Sequence, residues 1–401
     1  MPKNTLLFPP SFVFDTVGAE SGISGLQIAV NNLAVASKSG AMRQAHALGV
    51  GGRNSIKNQN KGMPTLNSLL PTRSVGKYTV APAEPSGTVG YFLTGYLTIG
   101  GLRADTTQDR FTFATNTLVN IGAFLYTSNC YSFANKTFGY FALISGFYRL
   151  TFQSELFATL GAILSPQRYV GASLRTSTRG YACGGMAGGG GTIFPNVDRF
   201  SFAGEVCVSI ATLIQARNFS NGFGNKFNGY IAGGYNNGVG TQNTTNVERF
   251  SYASETVAGI SAVLSVGGKA DFCTWSPSSL SSAYLFSGSS YGRFPDPVNS
   301  AFRSYANNKV EKLTYAGEVM SVLGTTLSNG LIGFGTIGNS LRTVIGGGRK
   351  PAEAYLLQTE SSYAEINQIT ALSFATDTVE VLATTLSKAR VALTGLDNSI
   401  T

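Results

Sequence analysis

Pairs of apolar residues with one residue between them recur along this chain at intervals of roughly 40 to 60 residues. Successive side chains of a strand point to opposite faces, so residues spaced i, i+2 share one face. Each pair therefore predicts a strand with one buried face, and the recurrence predicts stacked or radial copies of one unit. The pairs are Phe12/Phe14, Phe111/Phe113, Leu150/Phe152, Phe200/Phe202, Phe250/Tyr252, Leu313/Tyr315 and Leu372/Phe374.

Small and polar residues follow most of these pairs and predict a hairpin turn. In several units the turn contains an acidic residue, such as Glu205, Glu255, Glu318 and Asp377. A second apolar run comes next and commonly ends in Leu-Ser, as in Leu164-Ser165, with an Arg shortly beyond. These arginines are Arg73, Arg168, Arg217 and Arg390.

Another apolar run precedes each pair and ends in glycine, most clearly in Gly180–Gly185 and Gly229–Gly234. Glycine at a strand end is typical of a bend or a close approach of two backbones. With the segment between the Arg and the Gly-Tyr as a fourth strand, each unit reads as a four-stranded antiparallel sheet. Radial repetition of such sheets predicts an all-β fold, a β-propeller.

The doubled glycine that closes a strand, the following aromatics and the period of roughly 50 residues resemble the kelch family over essentially the whole chain. A kelch repeat normally has a Trp after its Tyr, whereas this chain contains one Trp, Trp275. The apolar pair fills that core position instead. The chain is thus similar to divergent kelch-like propellers of bacteriophage and cyanophage tail or fibre proteins.

The repeat predicts a single β-propeller over residues 1–401 with about eight blades, or alternatively seven. The count of eight includes Phe12/Phe14 and a degenerate unit from Gly49 to Arg73. We expect the C-terminal strand, residues 388–401, to complete the blade that residues 1–36 begin. Pairing the two ends of the chain removes exposed strand edges that would otherwise promote aggregation.

Composition agrees with many short strands and turns, since the chain has 49 Gly and only 12% charged residues. No apolar run is long enough to span a bilayer as a helix, so we expect no membrane insertion. The apolar stretch near Met1 is too short for a secretory signal. We therefore expect a location in the virion after assembly in the host cytoplasm, with the extracellular space or cell surface as the alternative.

Positive charge is concentrated between Ser21 and Ala83, a stretch without Asp or Glu. It supplies most of the net charge of +9, and three of its residues, Lys57, Lys61 and Lys77, are candidate docking residues. A solvated rim, an acidic protein and an anionic glycan all remain open as interpretations. Nucleic acid is not expected, because few aromatic residues are interleaved with these cations.

The sequence predicts no catalytic residue, cofactor site or metal site. His46 is the only histidine, so neither a His-rich metal centre nor a catalytic triad is easily assembled. The cysteines lack C-x-x-C spacing, and whether Cys183 and Cys207 pair stays open. Gly333–Gly338 matches G-x-G-x-x-G but lacks the flanking context of a dinucleotide site, which favours a glycine-rich strand or loop.

Three functional classes fit these observations. The resemblance favours a non-enzymatic structural or adhesion protein of a virion, whose partners are other virion proteins, copies of itself, or a host surface glycan or protein. The first alternative is a carbohydrate-active or glycan-binding propeller enzyme. The acidic residues that such an enzyme would need recur here because the turn that contains them recurs, which does not favour a catalytic role. The second is an intracellular kelch-type adaptor. Adaptors of this kind usually combine their propeller with a helical module.

Recognition in the favoured class depends on loops rather than on a deep pocket. Two segments depart most from the regular period, one between Cys273 and Leu313 and one between Leu327 and Leu372. We expect recognition or assembly contacts in these insertions, and in particular between Ser287 and Asn299.

Overall fold

Short β-strands joined by turns make up every regular element in the part of the chain that the structure describes. The computed structural model describes residues 87–97, 103–123, 130–188, 191–236, 242–265, 275–292, 303–351 and 363–399. Half-buried and exposed positions largely alternate along the outer strands, which is the period-two pattern of a sheet with one solvated face. The all-β prediction is confirmed.

Within the described ranges the first strands are β1 (Val89–Leu97), β2 (Arg103–Thr112), β3 (Thr117–Ala123), β4 (Tyr131–Ala134), β5 (Phe138–Leu143), β6 (Gly146–Thr151), β7 (Leu156–Thr159), β8 (Ala172–Arg175), β9 (Arg179–Cys183), β10 (Asn196–Ser201), β11 (Val206–Thr212), β12 (Asn221–Gly224), β13 (Asn228–Ala232) and β14 (Tyr235–Asn236). They continue with β15 (Gln242–Asn243), β16 (Asn246–Ser251), β17 (Thr256–Val263), β18 (Ser282–Gly292), β19 (Arg303–Thr314), β20 (Val319–Thr326), β21 (Gly335–Gly338), β22 (Arg342–Gly346), β23 (Arg349–Pro351), β24 (Tyr363–Glu365), β25 (Gln368–Ser373), β26 (Thr378–Thr385) and β27 (Thr394–Asp397).

The described strands form six antiparallel blades. From the innermost strand outward they are blade 1 (β27, β1, β2, β3), blade 2 (β4 to β7), blade 3 (β8 to β11), blade 4 (β12, β13, β16, β17), blade 5 (β18 to β20) and blade 6 (β21, β22, β25, β26). In blade 5, residues 275–278 occupy the place of the innermost strand. The ribbons β14–β15 and β23–β24 extend blades 4 and 6 beyond the second strand.

Contacts between neighbouring innermost strands run around the whole ring. The Ser173 hydroxyl of blade 3 accepts from Ser132 N of blade 2 at 3.0 Å, and Trp275 bridges to blade 4. The Thr336 hydroxyl of blade 6 donates to the Trp275 carbonyl of blade 5. A Cβ at Gly395 of blade 1 would lie 1.8 Å from the Thr336 carbonyl oxygen, so glycine is required where blades 1 and 6 meet.

The C-terminal strand closes the ring. Strand β27 pairs antiparallel with β1, from Gly90 opposite Asp397 to Leu93 opposite Thr394. We expected its partner among residues 1–36, which lie outside the described residues. The observed partner is Val89–Leu97, so the first and last described segments of the propeller share blade 1.

The expected number of blades, eight or seven, is wrong, since the described residues form six. The two additional units, at Phe12/Phe14 and from Gly49 to Arg73, lie outside the described residues. The remaining six pairs give one blade each. No further blade fits between those described, because blade 1 contacts blade 2 through Cys130 and Thr394 and blade 6 through Gly395.

The second residue of most apolar pairs packs between blades. Phe202 of blade 3 stacks on Tyr140 of blade 2, with ring centroids 5.0 Å apart and planes at 6°. The same inter-blade stack recurs at Tyr91/Phe152, Tyr181/Tyr252, Tyr230/Tyr315 and Tyr284/Phe374. Each stack removes two large rings from water and fixes the angle between adjacent blades. The pairs are thus core residues, as the sequence predicts.

Candidate functional site

The recurring turn acids form contacts between blades. Glu255 occupies the hairpin turn of blade 4 in the left-handed region, with φ of 53°. From there its carboxylate accepts from Arg199 of blade 3 at 2.8 and 2.9 Å and from Arg179 at 3.0 Å. We call such an acid and its basic partner from the preceding blade an inter-blade clamp.

Five junctions between described blades have an inter-blade clamp. In each of them a Tyr of the preceding blade also donates to the acid, as Tyr284 does to Asp377 at 2.6 Å. The other clamps are Arg110–Glu155, Arg149–Glu205, Arg249–Glu318 and Lys312–Asp377. The basic partner directly precedes the apolar pair in the sequence. This recurring basic residue is the sequence signal that could have revealed the clamps, because the acids alone do not identify a partner.

The junction between blades 6 and 1 differs. There Asn116 takes the place of the turn acid, with φ of 55°, and Val344 takes the place of the tyrosine. Arg342 donates to the Asn116 side-chain oxygen and, at 2.6 Å, to the Phe113 carbonyl. The point of ring closure is therefore held by neutral acceptors instead of an ion pair.

Buried arginines fix the segments that lead into the innermost strands. Arg168 is fully buried and pairs with Asp198 at 2.9 Å, while its Nε donates to the Gly184 carbonyl at 2.7 Å. Asp198 also accepts from Ser165 N at 3.0 Å, which anchors the Leu-Ser segment. The pairs Arg217–Glu248 and Arg390–Asp109 repeat this arrangement in blades 4 and 1. Charge-assisted bonds of this kind hold the backbone in one geometry.

Two residues after each of these arginines the backbone enters the left-handed region. Val170 has φ of 54°, Phe219 51° and Ala392 59°. Phe219 N donates to the Val170 carbonyl at 2.5 Å, so the strained residues of adjacent blades contact each other. We call these three residues together with Gly333, at φ 67° in blade 6, the channel mouth. Strain at non-glycine residues persists where the surroundings enforce it, and it is frequent at functional sites.

The described parts of the long insertions lie at the same end of the propeller as the channel mouth. Isolated bridges join the entering segments of blades 3, 4 and 6 to the connection between the second and third strands of the same blade, at Tyr169/Met186, Asn218/Tyr235 and Ile332/Arg349. These connections hold the ribbons β14–β15 and β23–β24 and the outer part of the β18–β19 hairpin. The channel mouth and these connections form one end of the propeller, which we call the loop face.

Buried oxygens without donors lie beside the channel mouth in blade 4. Asn218 Oδ1, Ser220 Oγ and Asn236 Oδ1 have no hydrogen-bond partner among the described residues. Ser220 is fully shielded from solvent, and the Asn218 amide nitrogen lies 3.0 Å from Met186 Sδ. Unpartnered buried atoms also occur elsewhere in the described residues, for example at Tyr252 Oη and Trp275 Nε1, so they do not single out a ligand site here. Nothing in the sequence distinguishes these residues from other turn residues.

Only some of the candidate residues from the sequence lie within the described residues. Lys57, Lys61 and Lys77 lie outside the described residues, as does His46. Of the segment from Ser287 to Asn299, residues 287–292 end strand β18 on the loop face, and the others are not described. Residues 333–338 lead from the channel mouth into the innermost strand of blade 6 and are followed by a turn, as the glycine-rich strand interpretation predicts.

Cys183 and Cys207 do not form a disulfide. Cys183 is buried against blade 4 in the cluster with Leu174 and Phe250, whereas Cys207 packs on the opposite face of blade 3 beside Phe200. Burial raises the pKa of the Cys207 thiol to about 12, and that of Cys183 rises as well. Both behave as small core residues.

The described residues contain no cluster of three or more His, Cys, Asp or Glu side chains that could hold a metal ion. In the same part of the chain, no helix has the length and apolar character needed to cross a membrane.

No protein-family model matches the chain, and no curated protein matches it. The fold is similar to a solved structure titled "Structure of YjhT", with a TM-score of 0.51 at 14% identity over 67% of this chain and 87% of that one. At this level of identity the likeness shows the fold alone. The chain is a β-propeller with six described blades.

Proposed function

We propose that this protein is a non-enzymatic binding and assembly protein that recognises its partner through the loop face. One observation carries this proposal: the longest connections, in blades 4, 5 and 6, all leave the propeller at the end that holds the channel mouth. Loops gathered on one face of a rigid scaffold are the usual arrangement for recognition.

The scaffold beneath the loop face is rigid. Inter-blade clamps and aromatic stacks join adjacent blades, and the buried arginines tie the entering segments to their own sheets. A preorganised surface loses little conformational entropy on binding.

The kelch-like pattern supports a more specific role in a virion, as a tail, fibre or capsid-associated protein. Its partners would be other virion proteins, copies of itself, or a host surface glycan or protein. Weak contacts of many copies on one particle would add through effective concentration. Lys57, Lys61 and Lys77 would add positive charge to such contacts.

Immunogold imaging of purified particles tests the location, and a deletion within Ser287 to Asn299 tests the loop face. The deletion removes the end of one hairpin, so we expect unchanged unfolding and weaker attachment to the host or the neighbouring subunit. Lys136→Ala, at the opposite end of the propeller, is the matched control and should attach normally. Unchanged attachment of the deletion variant would count against the proposal, and new reducing ends from host polysaccharide would favour the carbohydrate-active alternative.

A further inference from the structure

Apolar side chains protrude from the end of the propeller opposite the loop face. In blades 2 to 6 a tight turn joins the first and second strands there, closed by the same backbone hydrogen bond, as from Asn225 N to the Asn228 carbonyl. Phe227, Leu280 and Leu341 occupy central positions of these turns in blades 4, 5 and 6 and are 64%, 83% and 70% exposed. We call these three residues the turn arc.

The turn arc interrupts the symmetry of the ring. In blades 2 and 3 the central turn positions are polar, with Lys136 and Thr137 in one and Ser177 and Thr178 in the other. Polar residues suffice to form the turn, so its geometry does not require Phe or Leu. Single exposed apolar residues are ordinary, whereas neighbouring ones in three consecutive blades indicate a surface that contacts another molecule.

A groove of about 680 Å³ separates Phe227 from Leu280. Its floor contains the clamp of Arg249 and Glu318, and Tyr230 donates to the same carboxylate at 3.1 Å. The groove therefore offers two apolar walls above a polar floor. An extended segment of a partner can place an apolar side chain in this groove, whereas a flat partner surface cannot enter it.

Positive charge flanks the turn arc. The Lys226 ammonium lies 4.8 Å from the Phe227 ring centroid, and the Arg342 guanidinium is bonded to the neutral oxygens of Asn116 and Phe113. Neither cation lies within salt-bridge distance of a described carboxylate, and the nearest charge that acts on Arg342 is that of Glu380. Charge complementarity therefore calls for an acidic partner. A second copy of the chain fits less well, because its own turn arc would bring the same cations to the contact.

We propose that the turn arc docks a protein segment that carries both carboxylates and apolar side chains. The apolar side chains enter the groove between blades 4 and 5 and cover Leu341, and the carboxylates meet Lys226 and Arg342. This surface is separate from the loop face, so it goes beyond the proposed function and does not depend on it.

The test uses the full chain and three short synthetic peptides, one alternating Asp and Leu, one alternating Lys and Leu, and one alternating Asp and Ser. Fluorescence anisotropy of labelled peptides should show binding of the Asp-Leu peptide above the other two. Phe227→Thr combined with Leu280→Ser copies the polar turns of blades 2 and 3. This variant should bind the Asp-Leu peptide about tenfold more weakly, because burial of two apolar side chains is lost.

Thr137→Ala combined with Ser177→Ala is the matched control, and it should bind as the unaltered chain does. Lys226→Gln should weaken binding severalfold and reduce its dependence on salt. Equal binding by the Lys-Leu peptide, or an unchanged affinity of the Phe227→Thr/Leu280→Ser variant, would overturn the proposal. Sedimentation that shows self-association of the unaltered chain, lost in that variant, would replace the acidic partner with a second copy.

Discussion

Arg175 and Asp397 form a buried ion pair inside the propeller, with 2.6 Å between Nη2 and Oδ1. Arg175 ends the innermost strand of blade 3 and Asp397 ends that of blade 1, so the pair bypasses blade 2. The second carboxylate oxygen accepts from Gly338 N of blade 6 at 3.0 Å. The guanidinium carbon lies 4.7 Å from the ring centroid of Trp275 in blade 5. Four blades are therefore tied together at one point.

Asp397→Ala should strongly destabilise the propeller. It leaves the Arg175 charge buried without its carboxylate, and breaking a buried pair in this way costs about 3–5 kcal/mol. Chemical denaturation followed by tryptophan fluorescence measures the change, because Trp275 stacks on Arg175. The double variant Arg175→Met/Asp397→Leu removes both charges and should recover part of the loss. A single variant within about 1 kcal/mol of the unaltered protein would contradict this role.

The sequence could not indicate this pair. Arg175 and Asp397 are separated by 222 residues, and neither stands at a position where other blades carry the same charge. Four-stranded blades were predictable because each depends on a local pattern of strands and turns. The number of blades was not, because it depends on which strand pairs with the end of the chain. That partner, Val89–Leu97, looks like any other Gly-Tyr strand of the repeat.

Arg168 and Asp198 should depend on each other. Either Arg168→Leu or Asp198→Thr leaves an uncompensated buried charge and should lower the free energy of unfolding by about 3–5 kcal/mol. The combined variant copies blade 6, where Leu331 and Thr370 occupy the equivalent buried positions. We expect it to recover at least half of the loss, measured by chemical denaturation as a double-mutant cycle.

If the stability losses of the two single variants were additive, the carbonyls around Arg168, and not Asp198, would account for the free energy of unfolding that Arg168 contributes. In the sequence the buried arginines stand out only as residues that follow Leu-Ser. Their acidic partners stand two residues before the apolar pair, as Asp198 does before Phe200. A comparison of the arginine position and the acid position from blade to blade could have identified the ion pairs. In blade 6 both positions are neutral, which indicates that the two charges occur together or not at all.

Asn116→Asp should stabilise the junction where the ring closes. The side chain already contacts Arg342, so a carboxylate there would complete the one junction between described blades that lacks an ion pair. The left-handed backbone at φ 55° is well tolerated by Asp. Because the site is partly exposed, we expect a gain of about 0.5–1 kcal/mol that decreases at high salt.

Thermal unfolding at low and high salt measures this gain. Asn116→Ala is the control and should reduce stability, because it removes the acceptor of Arg342. A lower melting temperature for Asn116→Asp in low salt would show that the amide, rather than any acceptor, is required at the junction between blades 6 and 1.

Asp377 should contribute to the acid sensitivity of the fold. Burial opposes its ionisation, but hydrogen bonds from Lys312 at 2.7 Å and Tyr284 at 2.6 Å outweigh burial and hold its pKa below the usual 3.8. The folded protein thus binds this proton less readily than the unfolded chain does. The stability that Asp377 supplies is complete above about pH 4 and is lost as pH falls through the lowered pKa.

Asp377→Asn should therefore be less stable than the unaltered protein near neutral pH, by about 1 kcal/mol or less for this partly exposed group, and should lose less stability on acidification below about pH 4. Unfolding midpoints across this pH range measure both effects. Thr376→Ala, beside it in the turn, is the control, because the hydroxyl contacts only Thr378 among the described hydrogen bonds. If Asp377→Asn and the unaltered protein lost stability in parallel below pH 4, the other clamp acids would have to account for the acid sensitivity.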